Sequence, residues 1–134
     1  MMSASGTLTL RKEERTCSKK LIEQLFNGGT ARSMSSFPLR AVYMLVPRTA
    51  SMPPAQMMVS VPKRCFKHAV DRNLVKRQVR EAYRKNKQVL LQAMESHEKE
   101  GLVVSFIWLE NKLHDSHSVE HHIVELLRHI SERL

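Results

Sequence analysis

The sequence contains little cysteine and no long apolar run. Its two cysteines, Cys17 and Cys65, are too few for a disulfide framework, and no CxxC pair points to redox chemistry or zinc. No stretch approaches the roughly eighteen apolar residues that a membrane span requires. The N-terminus, MMSASGTLTLRKEER, lacks the apolar core of a signal peptide. These absences predict a cytoplasmic protein with reduced thiols and no membrane partner.

Catalytic motifs are also missing. The sequence has no Gly-rich phosphate loop, no convincing pair of carboxylates and no Cys/His pattern with established metal spacing. One histidine cluster, His114, His117, His121 and His122, contains two members that can share a helix face and take a transition metal. Without cysteines or a carboxylate framework around it, we interpret this cluster as the polar start of a helix. We therefore expect no catalytic residue and no metal site in the protein itself.

Positive charge is what the sequence has in excess. Its 22 Lys and Arg residues outnumber 13 Asp and Glu, which gives a net charge of +9 and a pI of about 10.0. Residues 63–87 hold ten of the cations against only Asp71 and Glu81, so this segment carries +8 of the total. Excess cations concentrate polyanions such as nucleic acid or anionic lipid. The charge pattern therefore predicts one polyanion site, in this segment.

Apolar periodicity and turn residues predict an ordered series of elements. In chain order these are a helix capped by Thr16 or Ser18 and ending at Phe26, a strand at 37–47, a hairpin partner strand at 56–62, a long helix at about 69–95, a strand at 102–109 and a helix at 118–133. A further short strand between residues 28 and 36 is left open. This order favours one α+β domain over residues 1–134, with helices packed on one sheet and residues 1–12 disordered.

The long helix is predicted to have a cationic face. At about 100° per residue, most of its basic side chains fall within an arc of about 140°, and Val75 and Val79 fall opposite. Lys85 lies near the apolar boundary and outside the arc. The arc holds Arg72, Asn73, Lys76, Arg77, Arg80, Arg84 and Lys87. Like-charge neighbours at i+4 cost a few tenths of a kcal/mol each unless an anion neutralises them, and their spacing of about 6 Å matches a string of phosphates. Three further cations, Lys63, Arg64 and Lys67, precede the helix.

These segments resemble a known family, the protein subunit of bacterial ribonuclease P. The resemblance rests on VSVPKR at 59–64, AVDRNLVKRQVREAYR at 69–84, and LTLRK followed by a KLIEQLF helix. Its most specific part is RN followed by KR and RE in the basic helix. The resemblance implies a two-layer sandwich on a mixed four-stranded sheet, with a left-handed βαβ crossover in place of the usual right-handed one.

The resemblance also implies a function. The family joins a catalytic RNA and matures the 5′ end of precursor tRNA, so the chain is expected to be the non-catalytic subunit of an endoribonuclease whose chemistry lies on the RNA, with Mg²⁺. By position and charge, the residues expected to bind the catalytic RNA are Lys63, Arg64, Lys67, Arg72, Asn73, Lys76, Arg77, Arg80 and Arg84. In the family, the first helix and a concave sheet face hold the 5′ leader. Here Phe26 and Tyr43 are the candidates for base stacking, and Arg40 for a leader phosphate.

Two positions depart from the family pattern. Leu74 stands where the family usually has a second arginine of Arg-Asn-Arg, and Ile22 stands where the first helix often has an aromatic residue. For Phe26, the alternative to stacking on the leader is a structural role in the core.

The alternative function is that of a ribosomal or other RNA-binding protein without a processing role. A DNA-binding regulator fits less well, because no helix-turn-helix pair precedes the basic helix.

Overall fold

The computed structural model describes residues 19–27, 29, 31–49 and 52–134. Its helices are α1 (Lys19–Asn27), α2 (Ala69–Asn86), α3 (Gln88–Ala93) and α4 (Ser116–Glu132), and its strands are β1 (Arg32–Ser36), β2 (Leu39–Pro47), β3 (Ala55–Ser60) and β4 (Glu100–Trp108). A short 3₁₀ turn, Met94–Ser96, follows α3. The expected disorder of residues 1–12 and the proposed caps Thr16 and Ser18 lie outside the described residues.

The four strands form one mixed sheet in the order β1-β2-β4-β3. β4 pairs antiparallel with β2 and parallel with β3, so that Val104 lies opposite both Tyr43 and Met57. Its apolar sequence is buried from Gly101 to Phe106, as a central strand covered on both faces requires. The predicted α+β class and mixed four-stranded sheet are confirmed. The helices α2 and α3 connect the parallel strands β3 and β4, and the left-handedness of this crossover stays a prediction from the resemblance.

The predicted hairpin between strands 37–47 and 56–62 is wrong. β4 lies between β2 and β3, because an apolar strand that buries both faces takes the middle of the sheet and leaves the less buried β3 at the edge. The partner of β2 on its other side is β1, which answers the question left open for residues 28–36. Phe37 and Pro38 form the turn between β1 and β2 and do not belong to the strand.

Alternation along the strands divides the core between the two faces of the sheet. Odd-numbered residues of β2, such as Tyr43, and even-numbered residues of β4, such as Trp108, pack with the buried stripes of α2 and α4. The remaining face is smaller: Leu25 of α1 packs there with Val42 of β2 and Val103 of β4. One sheet face therefore carries the main helical layer, and the opposite face carries α1.

The long basic helix is shorter than predicted. α2 ends at Asn86, and the chain continues into α3 through Lys87, whose side chain is buried. The Asn86 amide nitrogen donates to the Ala82 carbonyl and to the Glu120 carboxylate of α4, each at 2.8 Å. The bond to Glu120 holds the end of α2 against α4, and Leu90 of α3 packs in the core. Lys87 therefore does not belong to an exposed basic face.

The other two predicted helices are confirmed with small shifts of their bounds. α1 ends at Asn27, and Gly29 has a φ of 74°, the left-handed conformation typical of the residues after a helix. α4 begins at Ser116, where the Asp115 carboxylate accepts from the Ser118 amide at 2.7 Å. Across the described part of the chain, no helix combines the length and apolarity needed to cross a membrane.

Candidate nucleic-acid interface

α2 presents an apolar face to the core and a basic face away from it. Its buried residues are Val75, Val79, Ala82 and Tyr83. On the other side, Asn73 and Arg77 are exposed, and Lys76 and Arg80 are partly exposed. Leu74, where the family motif has a cation, is partly buried. The predicted two-faced helix is thus present, and the basic face consists of Arg72, Asn73, Lys76, Arg77, Arg80 and Arg84.

The loop before α2 extends the basic face. The Cys65 amide donates to the Pro62 carbonyl at 3.0 Å, and this turn leaves Lys63 and Arg64 exposed. Cys65 and Phe66 are buried and anchor the turn to the core. Lys67 follows and is exposed. We call residues 63–67 the basic loop, and its three cations continue the charge of α2 past the start of the helix.

Arg72 also has a structural role, because its guanidinium binds backbone carbonyls of the basic loop. Its Nη1 donates to the Phe66 carbonyl at 2.7 Å and to the Lys67 carbonyl at 3.2 Å. A guanidinium carries five N–H donors, so these two bonds leave others for a phosphate. Arg72 therefore ties the basic loop to α2, and its contact with RNA stays a prediction. A variant of Arg72 would disturb the loop as well as remove a charge.

Arg84 is engaged by a neighbouring carboxylate. Its guanidinium forms an ion pair with Glu81, three residues earlier on the same helix. The hydrogen bond from Arg84 lowers the pKa of Glu81, and the same bond raises the pKa of Arg84. Both side chains face solvent, so the pair adds little stability. An RNA phosphate at Arg84 would have to compete with Glu81 for the guanidinium.

A groove lies between α1 and the sheet, on the face opposite α2. We call it the α1 groove. Its volume is about 210 Å³, and its lining comes from α1, β1, β2 and β4 and from Gly29 and Ala31 between α1 and β1. Phe26, 47% exposed, and Arg40, exposed on β2, both line it. The Arg40 Nη2 donates to the Ser33 hydroxyl at 3.4 Å, across the β1–β2 pair. Two of the three predicted leader residues thus share one groove, and Phe26 is not a core residue.

Tyr43 does not belong to this groove, and its predicted role in leader stacking is wrong. Its side chain is only 4% exposed and packs in the main core, on the sheet face that carries α2 and α4. Successive residues of a strand point to opposite faces, so Arg40 and Val42 face the groove while Tyr43 faces away. A count of even and odd positions from Arg40 would have excluded Tyr43 from the sequence alone.

Sequence reasoning missed other residues of the α1 groove. Ser33 of β1 and Ile107 of β4 line it beside Phe26 and Arg40. Ser33 lies in a strand that the sequence left open. Ile107 lies in a nearly continuous apolar run, where alternation gives no signal of which residues face a groove.

The histidine cluster makes contacts between neighbouring elements. His114 Nε2 lies 2.5 Å from Glu110, and His122 Nδ1 lies 2.8 Å from the Ser36 hydroxyl, which also donates to Glu125. Burial, followed by the neighbouring charge of His121, lowers the pKa of His122. Among the described residues, no three His, Cys, Asp or Glu side chains group so as to hold a metal ion. His122 links α4 to β1. His114 lies in the loop before α4, and its Nδ1 is 3.4 Å from the Ser118 hydroxyl in the first turn of that helix.

Known proteins are similar to the chain both in sequence and in fold. A family model described as Ribonuclease P matches residues 10–130. The Ribonuclease P protein component of Porphyromonas gingivalis is 35% identical over 119 residues, which cover 89% of this chain and 84% of that protein. The solved RNase P protein from Thermotoga maritima superimposes with a TM-score of 0.63 at 21% identity, covering 87% of this chain and 96% of that one. For the Staphylococcus aureus RNase P protein the TM-score is 0.62 at 15% identity, covering 87% and 94%. The chain therefore belongs to the ribonuclease P protein family.

Proposed function

We propose that this protein binds the catalytic RNA subunit of ribonuclease P through α2 and the basic loop, and the 5′ leader of precursor tRNA through the α1 groove. In this role it promotes endonucleolytic maturation of the tRNA 5′ end, in the cytoplasm. The observation that carries the proposal is the placement of two different RNA-compatible surfaces on opposite faces of one sheet. An RNA-binding protein without a processing role has no need of the second surface.

The basic face of α2 suits a structured polyphosphate. Arg77 and Arg80 lie three residues apart on the side of the helix away from the core, and Lys76 lies beside them. Arg80 has the cations Lys76 and Arg84 four residues away on either side, and Glu81, four residues after Arg77, is already paired with Arg84. Phosphates are therefore the natural counter-ions of this face. Binding of this kind releases counter-ions from the RNA and depends steeply on salt.

The α1 groove suits a single strand. An exposed aromatic ring offers a stacking platform to any base, and a nearby cation neutralises the phosphate that follows it. Phe26 and Arg40 supply these two groups on the same groove. A duplex has its bases stacked and paired, so this combination favours an unpaired segment such as a leader.

On this proposal the hydrolysis takes place on the RNA subunit, with Mg²⁺ as the ion that assists it. The side chains of the two surfaces support this division of roles. Arginine and lysine stay protonated at neutral pH and do not act as general bases there, whereas they stabilise phosphate charge well. The protein residues therefore bind and orient RNA.

The leader contact can be tested at Phe26. A Phe26→Ala holoenzyme is expected to bind precursor tRNA with a leader of several nucleotides more weakly by roughly 1–3 kcal/mol, because one stacked base is lost. Affinity for mature tRNA should not change, since it has no leader. Equilibrium binding of both RNAs to holoenzyme made with saturating protein measures the difference.

Two matched variants control this experiment. Phe26→Tyr keeps a ring in the groove and should retain the leader-dependent affinity, whereas Val124→Ala removes an exposed apolar side chain from α4 and should have no effect. Equal losses for leader-bearing and mature tRNA in Phe26→Ala would contradict a leader site at the α1 groove.

A further inference from the structure

A second depression lies at one end of the sheet, where three segments of the chain converge. The Leu109 amide, just after β4, donates to the Pro38 carbonyl of the β1–β2 turn at 2.8 Å. The Cys65 thiol of the basic loop lies 3.7 Å from the Trp108 carbonyl at the end of β4. The turn, the end of β4 and the basic loop are therefore held together. This depression shares no lining residue with the α1 groove.

Its lining combines an exposed ring, a cation and polar edge groups. The volume is about 440 Å³, and the lining residues are Phe37, Arg64, Cys65, Leu109, Glu110 and Asn111. Phe37 is 61% exposed, the second most exposed of the large apolar side chains that the structure describes. Leu109 adds a second apolar side chain to the lining, and Arg64 adds a guanidinium. Sequence reasoning read Phe37 as the start of a strand and assigned it no role.

We infer that this depression binds one unpaired nucleobase of the catalytic RNA subunit, stacked on Phe37. The inference rests on the function proposed above, because it adds a base contact to an RNA already held by the basic loop. Arg64 belongs both to that loop and to the depression, so the same RNA segment reaches both. Base stacking on an aromatic ring tolerates any base, and a neighbouring arginine strengthens it.

The acidic residue in the lining favours a base over a phosphate alone. One carboxylate oxygen of Glu110 is bonded to His114, and the carboxylate would repel a phosphate placed deep in the depression. A nucleobase edge carries both donors and acceptors. The Glu110 carboxylate can accept from a base amino group, and the Asn111 amide can donate as well as accept. This set of groups matches a base edge, with the phosphate outside at Lys63 and Arg64.

Substitutions of Phe37 separate stacking from charge and from apolar burial. Phe37→Ala and Phe37→Leu are both expected to weaken binding of the catalytic RNA subunit about 5- to 100-fold, because neither offers a π-face. Phe37→Tyr should bind like the original protein. The slope of log K against log salt should stay unchanged in all three variants, because no phosphate contact is removed. Fluorescence anisotropy titrations of labelled RNA subunit at several salt concentrations give both quantities.

The controls keep the result interpretable. Phe37 is exposed, so its variants should melt at nearly the same temperature as the original protein, which thermal melts check. Arg77→Ala should flatten the salt slope while leaving Phe37 in place. If that charge variant flattens the slope but Phe37→Ala binds as tightly as the original, the nucleobase site is wrong and the proposed function stands. If neither variant changes RNA binding, the proposed function itself fails.

Two other outcomes would also overturn the inference. A Phe37→Leu protein that binds the RNA like the original would show that apolar area is enough and that no base stacks. Concentration-dependent dimerisation that Phe37→Ala abolishes, at unchanged RNA affinity, would assign the depression to a second copy of the chain.

Discussion

Replacing Arg77 and Arg80 together by Ala is expected to weaken binding of the catalytic RNA subunit by about 100-fold or more. Hydrogen bonds to charged groups contribute roughly 1.5–3 kcal/mol each, and this pair supplies at least two of them in the proposed complex. The log–log salt slope should flatten by about one to two units, since each neutralised phosphate contributes close to one. Arg72 and Arg84 are less suitable for this test, because one also holds the basic loop and the other pairs with Glu81.

The matched control removes the same charge elsewhere. Lys99 and Arg133 are exposed at the start of β4 and the end of α4, away from the basic face, and their double replacement by Ala lowers the net charge by the same two units. This variant should keep most of the affinity and nearly the full salt slope. Equal effects of the two double variants would mean that general positive charge, and not the face of α2, attracts the RNA.

Tyr43→Ala is expected to destabilise the protein by about 3–5 kcal/mol, the usual cost of truncating a buried aromatic side chain. The ring lies in the main core with Ala41 of the same strand and Val104 of β4. Its hydroxyl is buried and has no hydrogen-bond partner among the described residues. Tyr43→Phe should therefore be as stable as the original or slightly more stable, because it removes an unsatisfied polar group without leaving a cavity. Denaturant titrations of both variants measure the two free energies.

The alternative for Tyr43 is a direct contact with the leader. It predicts a Tyr43→Ala protein with unchanged free energy of unfolding and a selective loss of affinity for leader-bearing precursor tRNA. That pattern would contradict the buried position of the side chain and would return Tyr43 to the leader site. Phe26→Ala should show the reverse pattern, with little loss of stability and a leader-dependent loss of affinity.

Local patterns in the sequence predicted those parts of the fold that local forces determine. The apolar stripe of α4 and the two faces of α2 follow from a period of 3.6 residues. β4 follows from a nearly continuous apolar run, whereas a strand with one face in solvent alternates apolar and polar residues. The basic face was predictable for the same reason, since cations three or four residues apart share a face of a regular helix. Lys87 was predicted wrongly because the helix ends before it.

Contacts between distant segments were not predictable in this way. The pairing of β3 with β4 instead of β2 depends on which strand occupies the middle of the sheet, and that is decided by burial of the whole core. The Phe37 depression needs three segments to meet, and none of them signals the others in the sequence. The end of α2 before Lys87 coincides with a bond from Asn86 to Glu120 of α4, a contact between segments far apart in the sequence. The wrong prediction for Tyr43 has a different cause. Strand alternation from Arg40 already places Tyr43 on the opposite face of the sheet.

The most direct test of the account is cleavage of precursor tRNA at moderate Mg²⁺ in four mixtures: substrate alone, substrate with the catalytic RNA, substrate with the protein, and substrate with both. We expect background cleavage with the protein alone, slow correct 5′ maturation with the RNA, and clearly faster maturation with both. Reproducible 5′ maturation by RNA-free protein would contradict the assignment of chemistry to the RNA. The same rate with the RNA whether or not the protein is present would contradict the role of this protein as the subunit that promotes the reaction.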